Sequence, residues 1–572
     1  MTRSVPSACA RKVRRTGTRA GEWTQDPLLA SSTTRTGAAN QSAPAAAPST
    51  SAVAAPSKHE PSVQPRSSVS KALVVVLGLA ALIALARLLT YDEPLERDIS
   101  GAAVMGRELL DGRPLYSDVW DHKPPAMHAT HALSQLVAGY GRGAIYLLGV
   151  TSAVVTLLGV FAAGTAVGGA VAGLWAAVFW TIVSGDLWLQ ANQPNTEAFT
   201  NACLIWAFAL LVRVEGRAPS HGRFVLVGTL FALASLYKTV NIASVVVLAC
   251  AYVAWPPPLA GGRRRALAGM VVAGVVGALA WALVVGWFVL TGRFEAFWEA
   301  VVTFNRFYAG SLETNVRRLF NPAVHWAMLS TIPLAVFAVL GLIGGLARGD
   351  RRRWVCLLAW TAGTALAVAL PGRFYPHYFQ LWLPLLAVAG GWAAGVLARL
   401  APARVATLPH LAAVVVVVLL VVLQLPLYQL SPDDFSKVKY RTDLFVEERN
   451  LARELDTLLT PQETFYEFGA ETGLYFESRR RPLSGAFYVF PLLSGPVAAK
   501  LSERVVRDLE RNPPDLFIVA DSVARAKNPV LAWAMEKYRW APGDPKRGPF
   551  TLLVRPGSAL EARMRALQTR PR

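Results

Sequence analysis

The stretch SDVWDHKPP, Ser117 to Pro125, puts two carboxylates, an imidazole and an ammonium group within reach of one another. Carboxylates and imidazoles move protons, and fixed cations hold anions such as phosphate. The preceding residues extend the pattern. From Tyr91 to Pro125 there are eight acidic residues against four basic ones, an acidic island in a chain of formal net charge +20. Further polar candidates stand at the ends of apolar runs: Asp98, Asp186, Glu197, Lys238, Arg293, Arg306, Arg373 and His377. Charge beside a membrane is costly, so each is a functional candidate. Together they suit a substrate with an anionic phosphate and a hydroxyl to be deprotonated. Each also has a plainer reading. Asp98 opens a helix and would serve as its N-cap. Asp121 and Lys123 would pair and fix their loop. Glu197 would complement a helix dipole, and Lys238, in LYKTVN, would snorkel to headgroups. In PGRFYPHYFQ the aromatics, Tyr378 among them, would anchor at the interface, while Arg373 and His377 would share one helix face. His128 and His131, three apart, are only two ligands and make a weak case for a metal.

The elements that position these residues follow from composition. The chain is 53% hydrophobic and 16% charged, too apolar for a soluble protein of 572 residues. Runs such as LAAVVVVVLLVVLQLPLY are long enough to cross a bilayer. Spans are expected near 71–90, 142–163, 166–184, 196–213, 222–237, 240–255, 266–290, 324–347, 353–371, 375–397 and 408–428. The chain therefore reads as a polytopic α-helical membrane protein of about eleven spans. Its basic loops RVEGRAPSHGR, GGRRR, RGDRRR and RLAPAR follow every second span. The positive-inside rule makes those loops and the N-terminus cytoplasmic and the C-terminus extracytoplasmic, in the plasma (inner) membrane. The same clustering explains the basic charge without nucleic acid. Residues 1–70 read as a disordered, low-complexity cytoplasmic tail, residues 71–430 as the membrane domain with a first outer loop over 91–141, and residues 431–572 as a soluble α/β domain. In the first outer loop, DISGAAVMGRELLDG reads as a short helix and AMHATHALSQLVAGY as an interfacial one. Beyond 431, LFVEERNLARELDTLL and GPVAAKLSERVVRDLERN read as helices, and TFYEFG, DLFIVAD and PFTLLVRP as strands. The four cysteines have no CxxC spacing and imply no zinc site.

GRPLYSDVWDHKPP (Gly112–Pro125), NTEAF (Asn195–Phe199), YKT (Tyr237–Thr239) and RFYPHYF (Arg373–Phe379) occur in an order that resembles the GT-C superfamily of lipid-linked-sugar glycosyltransferases. They are most like the bacterial branch of glycosyltransferase family 39, relatives of protein O-mannosyltransferases and of the transferase that adds aminoarabinose to lipid A. The resemblance covers roughly residues 71–430. It implies a GT-C fold and transfer of a sugar from a polyprenyl-phosphate donor to a protein, lipid or glycan acceptor on the outer face. It maps the family's catalytic carboxylate to Asp98 and its second acidic site to Glu197. Lys238, Arg373 and His377 would stabilise the leaving phosphate, with Lys123 and Tyr378 as further substrate contacts. Many bacterial relatives read R-D-E at the first site, where this chain has Ile99. A divalent cation between Asp98 and Glu197 is compatible with the resemblance, but no complete ligand set stands in the sequence. A transporter or flippase would share the many spans. Such proteins often show matching broken halves, which this sequence lacks. An O-antigen ligase or polymerase would carry its large loop late in the chain, and Ile99 keeps open a third reading, a degenerate relative with a structural or sensory role.

Overall fold

The structure is a computed structural model, and it describes residues 66–214, 218–347 and 351–568. The expected tail over 1–70 lies outside the described residues, apart from 66–70, which open the first helix. The described residues form one compact unit.

Each expected span coincides with helical structure. In chain order the first nine helices are α1 (Arg66–Leu89), α2 (Arg97–Leu110), α3 (Pro125–Ala138), α4 (Arg142–Gly168), α5 (Ala170–Val183), α6 (Thr196–Val212), α7 (His221–Tyr237), α8 (Ile242–Ala254) and α9 (Gly262–Leu290). After α9 come Ile332–Ala347, Arg351–Ala369, Leu383–Leu400 and Leu408–Tyr428. Among the described residues, six helices are long and apolar enough to cross a membrane, and four shorter apolar ones accompany them. The protein is a multi-pass membrane protein. Of the six long apolar spans, the one that contains the helix Leu383–Leu400 is the most buried; that helix packs against α4, α5 and Ile332–Ala347, and its AVAGGWAAG run lets helix backbones approach closely without a solvent-driven hydrophobic force. By contrast, α1 and α9 expose Leu and Val along most of their length, as lipid-facing helices do.

Between α1 and α4 the chain forms the two short helices expected, α2 and α3. Proline at the start of α3 suits a first turn whose N–H groups have no intrahelical partner. The last residues build a small sheet: β1 (Phe465–Phe468), β2 (Leu516–Ala520), β3 (Arg539–Trp540), β4 (Lys546–Arg547) and β5 (Phe550–Val554). The order is β1-β2-β5-β3, with β4 also on β5. β1 and β2 are parallel, which requires a crossover, and the helix Ala498–Arg511 lies within it. The strands β1, β2 and β5 are buried throughout, and apart from Glu467 and Thr551 their residues are apolar, as strands covered on both faces are. β3 and β4 carry no such run and give no strand signal in the sequence.

The C-terminal region does not pack on itself alone. Ile99, Ala103 and Val104 of α2 share a core with Phe465, Leu474, Tyr475 and Phe550. Leu115, Tyr116 and Trp120 share a second core with Phe297, Phe304, Tyr466 and Phe517. The segment 91–141 is therefore clamped between the bundle and the sheet. At one point the approach allows no side chain: a Cβ on Gly485 would stand 1.6 Å from the Asp118 carbonyl, where the Trp120 amide donates to the Gly485 carbonyl (3.1 Å).

Candidate active site

Where α2, the SDVWDHKPP stretch, the ends of α6 and α7 and the C-terminal region meet, they enclose a cavity of about 920 Å³. Asp98, Lys123, Glu197, Lys238, His377 and Tyr378 all line it. Six positions spread over 280 residues of sequence are thus brought to one space.

Asp98 lies in the first turn of α2 but does not cap it. Glu96 is the N-cap, and its carboxylate accepts from the Asp98 amide (3.1 Å). That leaves the Asp98 carboxylate free to face the cavity, where it accepts from Lys123 Nζ (3.0 Å). Lys123 also reaches Asp121 (3.6 Å), so one ammonium group bridges two carboxylates. Burial pushes the Asp98 carboxyl up. The Lys123 ammonium and then His377 outweigh burial, and the net result is a carboxyl held at about 2. At Glu96 the pull of Arg97 and Lys123 is too weak to prevail. Burial, and then the neighbouring Asp98 charge, push its carboxyl up to about 8.

Asp121 is the hub behind Lys123. Its carboxylate meets His128 Nε2 (3.2 Å) and His122 Nδ1 (3.1 Å) and accepts from the Tyr488 hydroxyl (3.0 Å). Burial opposes its ionisation, yet Lys123 and the two imidazoles hold it well below the usual carboxylate range. His128 is thus an Asp121 partner, and its spacing from His131 reflects packing on one helix face. Asp118 points elsewhere: Arg113 takes it in a two-pronged pair (2.9 and 3.1 Å). The prolines and Tyr116 place Lys123. Tyr116 sits at φ +68°, a strained backbone for an L side chain, and its hydroxyl donates to the Lys123 carbonyl (2.8 Å).

Glu197 and Lys238 form a second pair. Glu197 is buried in the first turn of α6, and Lys238 Nζ donates to it at 2.5 Å. The same ammonium lies 3.3 Å from the centre of the Tyr378 ring, a cation–π contact. Lys238 is the residue at which α7 ends, in extended backbone. His377 stands between the two pairs. Its Nε2 is 3.9 Å from Asp98, and its Nδ1 meets Gln190 Oε1 (3.2 Å).

Arg373 departs from expectation. It does not line the cavity and shares no helix face with His377, because the helix at Pro376–Trp382 begins after it. Pro376 disfavours helical backbone at the residue before it, and Phe374 sits at φ +54°. Arg373 instead lies behind Tyr308, donating to its carbonyl (3.1 Å) and stacking on its ring (4.3 Å). The cavity cation without a partner among the described residues is Arg306, which is exposed at the cavity wall. Its neighbour Asn305 donates to the His122 carbonyl (2.7 Å). Sequence reading ranked Arg306 only among the terminal charges, since nothing local tells a paired cation from a free one.

The donor set does not fit a resident divalent cation. Asp98 and Glu197 each hold an ammonium group, and among the described residues no three His, Cys, Asp or Glu side chains are grouped to ligate a metal.

This arrangement of helices has solved counterparts. The chain is similar to ArnT from Cupriavidus metallidurans bound to undecaprenyl phosphate, with 15% sequence identity and a TM-score of 0.53 over 86% of this chain and 99% of that one. It is equally similar to the apo state of ArnT from the same organism, at 15% identity and a TM-score of 0.53 over 85% and 98% of the two chains. The chain has the GT-C fold. No protein-family model matches the chain, and no curated protein matches it. The expectation drawn from four short motifs is therefore met at the level of fold, at an identity too low to speak for chemistry.

Proposed function

We propose that the protein is a membrane glycosyltransferase that moves a sugar from a polyprenyl-phosphate donor to an acceptor on the extracytoplasmic face. The observation that carries this reading is the one cavity that the Asp98 carboxylate, two ammonium groups and the Arg306 guanidinium, which has no partner among the described residues, all line. A solved protein of the same fold was crystallised with undecaprenyl phosphate, which supports a lipid phosphate as the cavity's ligand.

In this reading the acceptor hydroxyl attacks the anomeric carbon of the sugar. The bond from that carbon to the phosphate oxygen breaks, and the electron pair stays on the lipid phosphate. Arg306, Lys123 and Lys238 face the oxygen on which charge grows, and fixed cations there lower the barrier. His377 and Tyr378 line the path between the two ion pairs. Asp98 orients the acceptor hydroxyl and takes its proton. A carboxyl held near 2 is a poor base. Drawing Lys123 onto the phosphate removes its main counter-charge, and burial then makes Asp98 more basic as the donor is seated. The rim of the C-terminal region would select the acceptor, and residues 431–572 would stand outside the membrane.

The orientation has its own support. Helix α6 begins at the cavity with Glu197 and ends at Val212, whose carbonyl region holds Arg352 (3.4 Å to Val212, 3.2 Å to Leu211). The basic ends of the helices thus lie opposite the cavity, and the positive-inside rule makes them cytoplasmic.

The test uses purified protein in detergent with a panel of undecaprenyl-phosphate-linked hexoses and pentoses, measuring release of undecaprenyl phosphate. Asp98→Asn should lower turnover by about a hundredfold or more. Undiminished turnover would remove Asp98 from the chemistry, and passage of intact donor across a vesicle without its cleavage would favour a flippase.

A further inference from the structure

The first turn of α2 is tied to a residue almost four hundred positions away. Thr472 Oγ1 lies 2.8 Å from the Arg97 carbonyl and 2.8 Å from Ser100 Oγ. Ser100 Oγ also lies 3.1 Å from the Glu96 carbonyl. Each hydroxyl carries one proton. Either Ser100 donates to Thr472 and Thr472 to Arg97, or Thr472 donates to Ser100 and Ser100 to Glu96. Both arrangements end on a carbonyl of the two residues that precede Asp98. The fit is close, since Gly101 faces Thr472 and a Cβ there would stand 3.3 Å from its hydroxyl. Ser100 and Thr472 are both buried. A second tie, Arg97 to Glu471 (3.8 Å), is half-exposed on the arginine side and adds little.

The partners of the Asp98 carboxylate come from other elements. Lys123 lies in the SDVWDHKPP stretch between α2 and α3, and His377 lies beyond α9. A small tilt of α2 would therefore change the Asp98–Lys123 and Asp98–His377 distances directly, because neither partner would move with it. We propose that Thr472 is a positioning residue for Asp98, by which the C-terminal region sets where the cavity's carboxylate lies. The proposal rests on the reading of Asp98 as the group that meets the acceptor.

Thr472→Val keeps the side-chain shape and removes the hydroxyl. In the donor-cleavage assay it should lower kcat about tenfold with donor KM within about twofold, a size expected of misplacement by a fraction of an ångström. The acidic limb of the pH profile should move to higher pH, as Asp98 withdraws from Lys123. Thr472→Ser should restore both. Ser100→Ala should reproduce the loss, although Ser100 does not line the cavity, and Ser100→Ala with Thr472→Val should be no worse than either alone. A contact between Thr472 and substrate predicts the reverse: wild-type kcat in Ser100→Ala, or losses that multiply in the double variant. Either result overturns the proposal, as does an unmoved pH profile. If Thr472→Val does not fold, the Ser100→Ala and Thr472→Ser profiles decide by the same criteria. Asp98→Asn, run alongside, separates the two levels. Full activity there overturns the role of Asp98, whereas an inactive Asp98→Asn beside wild-type behaviour of Thr472→Val and Ser100→Ala overturns only Thr472.

Discussion

At the scale of the residue, the Lys123 bridge makes a prediction about pH. The Asp98 carboxyl is held at about 2 because the ammonium outweighs burial. Its ionised form is thus favoured in the folded protein. The stability this contributes is present above the ordinary carboxylate pKa and is lost only as pH falls toward about 2. Lys123→Met deletes the largest opposing cause, and burial then raises the carboxyl. The acidic limb of kcat/KM should move up by about one to two pH units, beyond the fall in rate, as measured across pH 2 to 6. An unmoved limb would mean that Lys123 does not hold Asp98 in the working enzyme. Glu96 makes the opposite case. Its folded pKa of about 8 lies above its unfolded value, so stability is fully present below about 4.5 and is lost as pH climbs toward 8. Glu96→Gln keeps an acceptor for the Asp98 amide and cannot ionise. It should melt higher than the wild type at pH 8, by roughly 2 °C or more, and the gap should close near pH 4.5. Both residues were in view in the sequence, two apart in LERDIS. Their opposite states were not legible there, because the deciding cation arrives from Lys123.

At the scale of the element, the ties between distant segments matter most. Lys439 is fully buried and donates to Glu93 (2.7 Å) and Asn192 (2.8 Å), and Asn192 closes the ring on Glu93 (2.7 Å). Three segments are stapled by one ammonium group: the start of 91–141, the loop before α6, and the chain that follows Tyr428. Lys439→Met leaves a buried carboxylate uncompensated and should cost about 3–5 kcal/mol, read as a lowered unfolding midpoint. The double variant Glu93→Gln, Lys439→Met should recover part of that loss. Additive losses would mean that the pair is not coupled. The helices themselves were legible. The expected 142–163 and 196–213 spans correspond to α4 and α6 within a few residues, because apolar length and polar ends are local properties. The two-residue strands β3 and β4 were not, since β5 alone recruits them.

At the scale of the molecule, the cavity is a joint product of bundle and C-terminal region. Tyr440, Thr442, Phe445, Thr472 and Tyr488 contribute to its wall beside residues of α2 and α7. Two apolar cores run through the 91–141 segment into the sheet. A chain ending at Gln429 would expose Ile99, Val104, Tyr116 and Trp120 to water and lose the Thr472 and Tyr488 contacts. It should fail to give a monodisperse peak by size exclusion in detergent. A monodisperse product that still cleaves donor would show the region to be an accessory.

The sequence by itself determined the class, the apolar helical segments, their expected orientation and the short motifs, because hydropathy, charge asymmetry and the polar island are written along the chain. It also drew attention to Asp98, Lys123, Glu197, Lys238, His377 and Tyr378 as separate residues. Only the tertiary structure decided which of them meet. It paired Lys123 with Asp98 and Lys238 with Glu197, left Arg306 open, and withdrew Arg373 behind Tyr308. Pairing depends on distances across elements far apart in sequence, and those distances are set by how helices and sheet pack.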